Sequence, residues 1–403
     1  MGLRVLLWGR GVSALGDGLW FTTWALFFTR VLGLPLVAVG VGMAVAGAVG
    51  LVAAVPLGGL ADRFDPRFVL VAIIVVRALA MVSYLVVDGT WSFLAVTVAF
   101  TAPANGGNAV RTALIAGLVP DNAGRVRALA QQRVAQHVGY AIGAGLGAVV
   151  LTADSRSAYT AAIVGNAVTF GVLAVTTLLV RKPSAQEGRR AGARAVLGDR
   201  PYVAVVSVTS VLTLCWAMMS TGLPLWLSRA TDLPLTLGGV VVVVGSVGIA
   251  VFQVPFARFA RSPAQAARTV VWSGAVLAAS CVLLATTAGG SGAVGVAVVV
   301  VAALLHVVGE LGYVAANWGL SVNLMREESR GAYQGVNEAA TATVQLFGPA
   351  VFTFALGGFG AAGWVAVAVI FLAAAAPVPA LTRWAVRTRQ PEPSPPEVVK
   401  TTP

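Results

Sequence analysis

The chain has 403 residues, of which 58% are hydrophobic and only 10% charged, with a mean hydropathy of +0.87, whereas an ordinary soluble domain carries about a quarter charged residues. That composition excludes such a domain and indicates a polytopic membrane protein. The formal net charge of +12 is spread over alternate loops rather than gathered into one patch, which argues against a nucleic-acid partner.

Apolar runs long enough to cross a bilayer, about 20 residues each, are predicted near 6–30, 36–60, 67–87, 91–118, 129–152, 157–180, 202–228, 236–259, 267–288, 293–324, 333–357 and 361–382. They read as helices because a lipid-exposed backbone must satisfy its own hydrogen bonds, and no ten-residue alternation suggests a barrel. The first run is too long for a cleavable signal and holds Arg10 and Asp17 inside it. Arg63, Arg67, Arg125, Arg127, Arg258, Arg261, Arg326 and Arg330 fall on one side of this layout, together with the basic central stretch; Arg30, Arg156 and Arg229 fall on the other. By the positive-inside rule both termini and the central loop face the cytoplasm. Arginine outnumbers lysine and Gly, Ala and Val dominate, consistent with a GC-rich bacterial genome, so the expected location is a bacterial cytoplasmic (inner) membrane. Cys215 and Cys281 lie inside predicted spans and read as small packing residues rather than disulfide or metal partners.

The polar stretch RKPSAQEGRRAGARAVLGDRP separates two halves of six spans each. The expected organisation is a six-helix bundle over 1–180, a cytoplasmic central loop over 181–201, a second bundle over 202–385, and a Pro-rich, disordered cytoplasmic tail over 386–403. The halves also resemble each other. VPLGGLAD, ending the second span, matches VPFARFAR, ending the eighth; Arg125 precedes Gly143-Ala144 by the interval at which Arg330 precedes Gly348-Pro349. An internal repeat of this kind implies two bundles facing each other across a midplane cavity, able to alternate access.

The loop after the second span reads GGLADRFDPRFVL. With Gly58, Leu60, Ala61, Asp62, Arg63, Arg67 and Leu70 it resembles the signature of the major facilitator superfamily in this loop, while Asp65 stands where that signature has glycine and Pro66 where it has a basic residue. The resemblance implies an all-α fold of twelve transmembrane helices in two pseudo-symmetric six-helix bundles. It also implies that Gly58, Asp62, Arg63 and Arg67 form a conformational latch, with Asp62 engaging the start of the eleventh helix near Gly331 to Gln334. In the fifth span, VGYAIGAGLGAVV resembles the glycine-rich motif of drug:proton antiporters, with Ala144 in place of its proline. Gly139, Gly143 and Gly147, and Gly348 in the second half, are therefore expected to pack helices closely, as small residues do whatever the transport direction.

Asp17, Arg77, Arg111, His137, His306 and Glu310 lie within spans, where each charge costs about 2.5–3.5 kcal/mol on insertion scales and needs a partner or a wet cavity. His306, Glu310, Tyr313, Asn317 and Ser321 share one helical face, as do Ser13, Asp17, Trp20 and Trp24, and Asn105, Asn108 and Arg111 form a shorter one. A carboxyl group on such a face, open to either side in turn, can load and release a proton. Glu310 is the first candidate, Asp17 the second, with Arg111 as its possible partner, and His306 a possible relay. Because the resemblance makes the first, fourth, seventh and tenth helices line the cavity, Trp20, Trp24, Asn108, Arg111, Trp216, Met219, Tyr313 and Asn317 are expected there, where aromatic and Met side chains suit flat lipophilic ligands. Arg133 and Glu338, related by the repeat, lie near the cytoplasmic boundary and read as solvated helix ends, with an inter-domain gate as the alternative reading.

No metal cluster, nucleophile motif or phosphate loop is found, and no enzyme activity is expected. The leading reading is a monomeric, cofactor-free exporter of small amphipathic or drug-like molecules in a lipid bilayer, driven by protons. Two alternatives stand beside it: a proton symporter or facilitator for a nutrient, and a non-transporting receptor or scaffold on the same fold.

Overall fold

A computed structural model describes residues 2–182 and 193–389. Residues 183–192 of the central loop and the tail from 390 onward therefore lie outside the described residues, and with them the expectation of tail disorder. The chain forms α1 (Gly2–Leu26), α2 (Leu36–Arg63), α3 (Pro66–Ser83), α4 (Thr90–Leu118), α5 (Asn122–Ala153), α6 (Arg156–Leu178), α7 (Arg200–Ala230), α8 (Leu237–Phe256), α9 (Pro263–Ala285), α10 (Gly292–Leu324), α11 (Arg330–Phe359) and α12 (Ala361–Arg387). Ten of these twelve are long and apolar enough to cross a membrane. The other two, α1 and α4, span 25 and 29 residues, and their apolar runs are diluted by Arg10 and Asp17 and by Asn105, Asn108 and Arg111.

Helix starts are fixed by side-chain oxygens that accept from otherwise unpaired first-turn N–H groups. Asp65, Asp121, Ser155, Asp199 and Ser262 cap α3, α5, α6, α7 and α9 in this way. The cap at Asp121 starts α5 seven residues before the apolar run predicts, because the first turns of α5 are polar and face protein rather than lipid. That shift moves Arg133 well into the bundle.

In the first half α1 packs on α5 and α6, α2 on α4, and α3 on α4 and α6; in the second, α9 packs on α10 and α12, α8 on α10, and α7 on α11. The halves meet where α2 and α4 face α11 and where α5 faces α8 and α10. The repeat recurs in this packing. A Cβ at Gly139 or Gly143 of α5 would collide with the carbonyl oxygens of Gly11 and Leu15 of α1, and one at Gly147 would lie 2.7 Å from the Thr22 Cβ. Gly348 of α11, the counterpart of Gly143, meets α7 in the same fashion, 2.7 Å from the Ala217 Cβ. Each half also carries a π-helical turn on its first helix or just after it, Phe27–Val31 following α1 and Met218–Gly222 within α7, a local widening often found at functional sites.

Both described termini lie at one end of the bundle. A Cβ at Gly2 would sit 3.5 Å from the Arg181 backbone nitrogen, Arg67 Nη1 donates to the Val180 carbonyl at 2.9 Å, and Arg389 pairs with Asp199 at 2.7 Å. At this basic end the halves are shut. The Gly58 and Gly331 backbones touch so closely that a Cβ on either would strike the other's carbonyl oxygen. The Asp62 carboxylate accepts from the Gly331 and Ala332 N–H groups at 2.7 and 2.8 Å, closing the N-terminus of α11. Beside it Glu327 is held by Arg125 of the first half and Arg330 of the second, the two arginines related by the repeat, and Asn122 donates to Asn323 at 2.9 Å. Arg63 points outward and is exposed. Arg67 stays within its own half, forking onto Asp65 at 2.7 Å, and that guanidinium holds the Asp65 carboxyl below the usual carboxylate range.

Candidate functional site

At mid-depth the two halves enclose a chamber of about 460 Å³. Glu310 stands in its wall, fourteen residues before the end of α10 and so about 21 Å from the basic end at 1.5 Å per residue. Its carboxylate is nearly enclosed, with 9% of the side chain exposed. Two groups engage it from different helices. Arg133 of α5, in the opposite half, donates through Nη2 to Oε1, and the Trp216 indole N–H of α7 donates to the same oxygen at 2.9 Å. The Arg133 guanidinium also lies 5.8 Å from the Trp216 ring centroid, so the aromatic face braces the cation as the N–H braces the acid.

Histidines flank the pair. His306 Nδ1 lies 3.9 Å from Glu310 Oε2, while its Nε2 is 2.8 Å from the Cys215 carbonyl oxygen. That contact fixes the Nε2–H tautomer when the ring is neutral and leaves Nδ1 facing the carboxylate. His137, one turn beyond Arg133 on α5, lies 3.4 Å from the Arg133 Nε through its own Nε2. Arg133 and His137 are thus joined to Glu310 and His306 across the seam.

A second acid meets the first half close by. Glu338 of α11 lines the chamber and lies in the field of Arg111 of α4; Arg111 donates to Asn108 Oδ1 at 3.0 Å. The expectation that Arg133 and Glu338 are solvated helix ends is overturned: Arg133 is only 8% exposed, and both residues face the chamber. Along these contacts the first half presents cations and the second acids.

The other residues singled out from the sequence divide between chamber and core. Asn108, Trp216, Tyr313 and Asn317 line the chamber. The Tyr313 hydroxyl is hydrogen-bonded to that of Thr213 on α7, and the Asn317 Oδ1 and Gln132 Oε1 acceptors have no partner among the described residues, which leaves them free for donors of a ligand. Asp17 lies outside the chamber, between Arg10 at 3.0 Å and Arg77 at 3.7 Å; its partners are these two rather than Arg111. Arg10 itself reaches the chamber wall. Trp20 stacks on Tyr84 at 5.2 Å and meets Phe28 edge-on at 5.4 Å, in the aromatic core of the first half. Trp24 packs on Phe28 at 5.8 Å, and Met219 is half-buried on the π turn of α7, against the hydrophobic core. Among the described residues no group of His, Cys, Asp and Glu is arranged to hold a metal ion.

Comparison with known proteins gives this geometry a family. Residues 6–349 match the Major Facilitator Superfamily, while no curated protein matches the chain. Among solved structures it is similar to the human organic anion transporter MFSD10 (14% identity, 94% of this chain and 98% of that one, TM-score 0.70). It is similar also to a bacterial homologue of the iron transporter ferroportin in an outward-facing state (16%, 96% and 100%, TM-score 0.73), and to the proton:xylose symporter XylE (12%, 93% and 94%, TM-score 0.68). At these identities the likeness is one of fold. With its twelve helices in two halves and a chamber between them, the chain belongs to the Major Facilitator Superfamily and is a membrane transporter rather than an enzyme.

Proposed function

We propose that this protein is a proton-coupled exporter of small amphipathic, drug-like molecules, working by alternating access. The observation that carries the reading is the Arg133–Glu310 pair, an ion pair buried at mid-depth between the two moving halves. A charged carboxylate ties the halves together; a proton on Glu310 removes the charge that holds Arg133 and lets the halves part. His306, with Nδ1 toward the carboxylate, is the relay, and Asp17, between two arginines, serves as a secondary charge site. The basic end is taken as cytoplasmic, with both termini there, in a bacterial cytoplasmic membrane, on the asymmetry of the loops. Asp62 on the α11 N-terminus acts as the latch of that end. The working unit is a monomer, powered by the proton gradient without a cofactor.

Replacing Glu310 by Gln keeps the shape and removes the charge. Glu310→Gln is expected to abolish proton-driven efflux from energised cells, while purified protein retains a wild-type elution profile and thermal midpoint. Efflux that persists and still collapses with a protonophore would overturn the assignment. A second reading, proton-coupled uptake of a nutrient, draws on the polar lining of Gln132, Gln136, Asn317 and Gln345, which suits a hydrogen-bonding solute. The two separate in proteoliposomes with an imposed proton gradient: the exporter moves substrate against the proton flow, the symporter with it.

A further inference from the structure

Along the seam where α5 of the first half faces α8 of the second, two grooves adjoin. One, of about 560 Å³, lies at the basic end and is lined by Asp121, Arg127, Arg258 and Arg261 with Val254 and Ala257 at its floor. All three arginines are exposed, and no described carboxylate pairs with any of them. Arg258 lies over the Phe259 ring at 4.7 Å. Asp121, the acid in the groove, is committed to the α5 cap through the Gly124 N–H at 2.6 Å, so the groove carries a net positive charge. The other groove, about 500 Å³, runs toward the membrane centre between Leu7, Trp8 and Val12 of α1 and Val134, Val138 and Ile142 of α5. Val254 belongs to both.

A basic cradle at the membrane rim continuing into an apolar channel has the amphipathic profile of a phospholipid. From Arg127 to Ile142 the distance along α5 is about 22 Å, which matches one leaflet with its headgroup layer, about 20–22 Å. We propose that this seam binds an anionic phospholipid, its phosphate among Arg127, Arg258 and Arg261 and one acyl chain along the apolar groove. Charge complementarity selects an anionic headgroup over a zwitterionic one. Because Arg127 belongs to one half and Arg258 and Arg261 to the other, a lipid held by all three binds best when the basic ends are together. It therefore biases the transporter toward the state closed at that end.

The test uses the full-length protein in phosphatidylcholine nanodiscs titrated with fluorescent phosphatidylglycerol. Wild type is expected to prefer phosphatidylglycerol by about tenfold or more. The triple variant Arg127→Gln/Arg258→Gln/Arg261→Gln is expected to lose that preference, and so is Val138→Trp, which fills the apolar groove without touching a charge. Arg383→Gln/Arg387→Gln, removing two exposed charges at the same end, should leave it intact. An equal loss in this control would mean diffuse surface attraction and would sink the proposal. So would full competition by soluble glycerol phosphate, which would identify a free-phosphate site with no use for the apolar groove. If the triple variant does not fold, Arg127→Gln and Val138→Trp decide, and retention of the preference by both overturns the lipid assignment.

Discussion

The basic end and the mid-depth chamber both join the two halves, and they do so by different physics. At the basic end the contact is one of shape: Gly58 and Gly331 bring backbones together, and Asp62 accepts from two backbone N–H groups. In the chamber the contact is one of charge, with Arg133 on Glu310 and Arg111 near Glu338. A contact made by backbone approach resists gradual adjustment, since side-chain volume either fits or forces the helices apart. A contact made by charge can be switched by a single proton. In the mechanism proposed above, the seal sets which end is shut and the chamber sets when it opens.

The comparison breaks most sharply at Gly58. Gly58→Leu places a side chain where only hydrogen fits; overpacking of this kind costs about 1–3 kcal/mol, and 1.4 kcal/mol is a factor of ten in an equilibrium. The ratio of closed to open molecules should fall by about fivefold to 150-fold, equally at all pH values, because no proton takes part. Maleimide labelling of Ala332→Cys, buried in the seal, reports it in a background lacking Cys215 and Cys281; unchanged labelling would mean that the glycine contact does not close this end. Glu327→Gln is a milder break. It removes the acid shared by Arg125 and Arg330, but only the Arg125 pair crosses between the halves and the Glu327 side chain is 37% exposed, so that pair is discounted to about 0.2–1 kcal/mol. Labelling should rise by no more than about fivefold. A rise as large as that of Gly58→Leu would show that charge, not shape, holds the seal.

Much of this architecture is legible in the sequence, for reasons that also explain what is not. Hydropathy marks helix turns that face lipid, so α10, apolar along nearly its whole length, is predicted at 293–324 and found at Gly292–Leu324. The depth of Glu310 follows. The first turns of α5 face protein and are polar, so the same reasoning starts that helix late and sets Arg133 at its solvated end. The cross-seam partner of Glu310 is hidden for a further reason: spacing along one helix shows which residues share a face, while partners on other helices depend on how the helices cross. Trp20 illustrates the same ambiguity, for a face turned from lipid can meet a chamber or an aromatic core, and Trp20 meets Tyr84 and Phe28. Glu327 could have been suspected from the repeat itself, because it lies three residues before Arg330, the counterpart of Arg125.

Asp65 sharpens the comparison from the other side, as a charged contact at the basic end that lies within one half. It stands where the signature loop has glycine, caps α3 and forks onto Arg67, which is tied to Val180 in the same half. Asp65→Asn keeps a capping oxygen but loses the charge, and the expected loss of stability at neutral pH is about 1 kcal/mol or less. The sign of its pH dependence follows from the direction of the shift. A carboxyl held below its ordinary range by Arg67 contributes stability above its unfolded value, about 3.9, and loses that contribution as pH falls through the folded one. Wild type and variant should therefore differ in thermal midpoint at pH 7, begin to converge only below pH ~4 and meet once pH falls below the folded value. Because the pair does not cross the seam, Ala332→Cys labelling should be the same in both; a change would mean that α3 and its cap take part in closing the transporter.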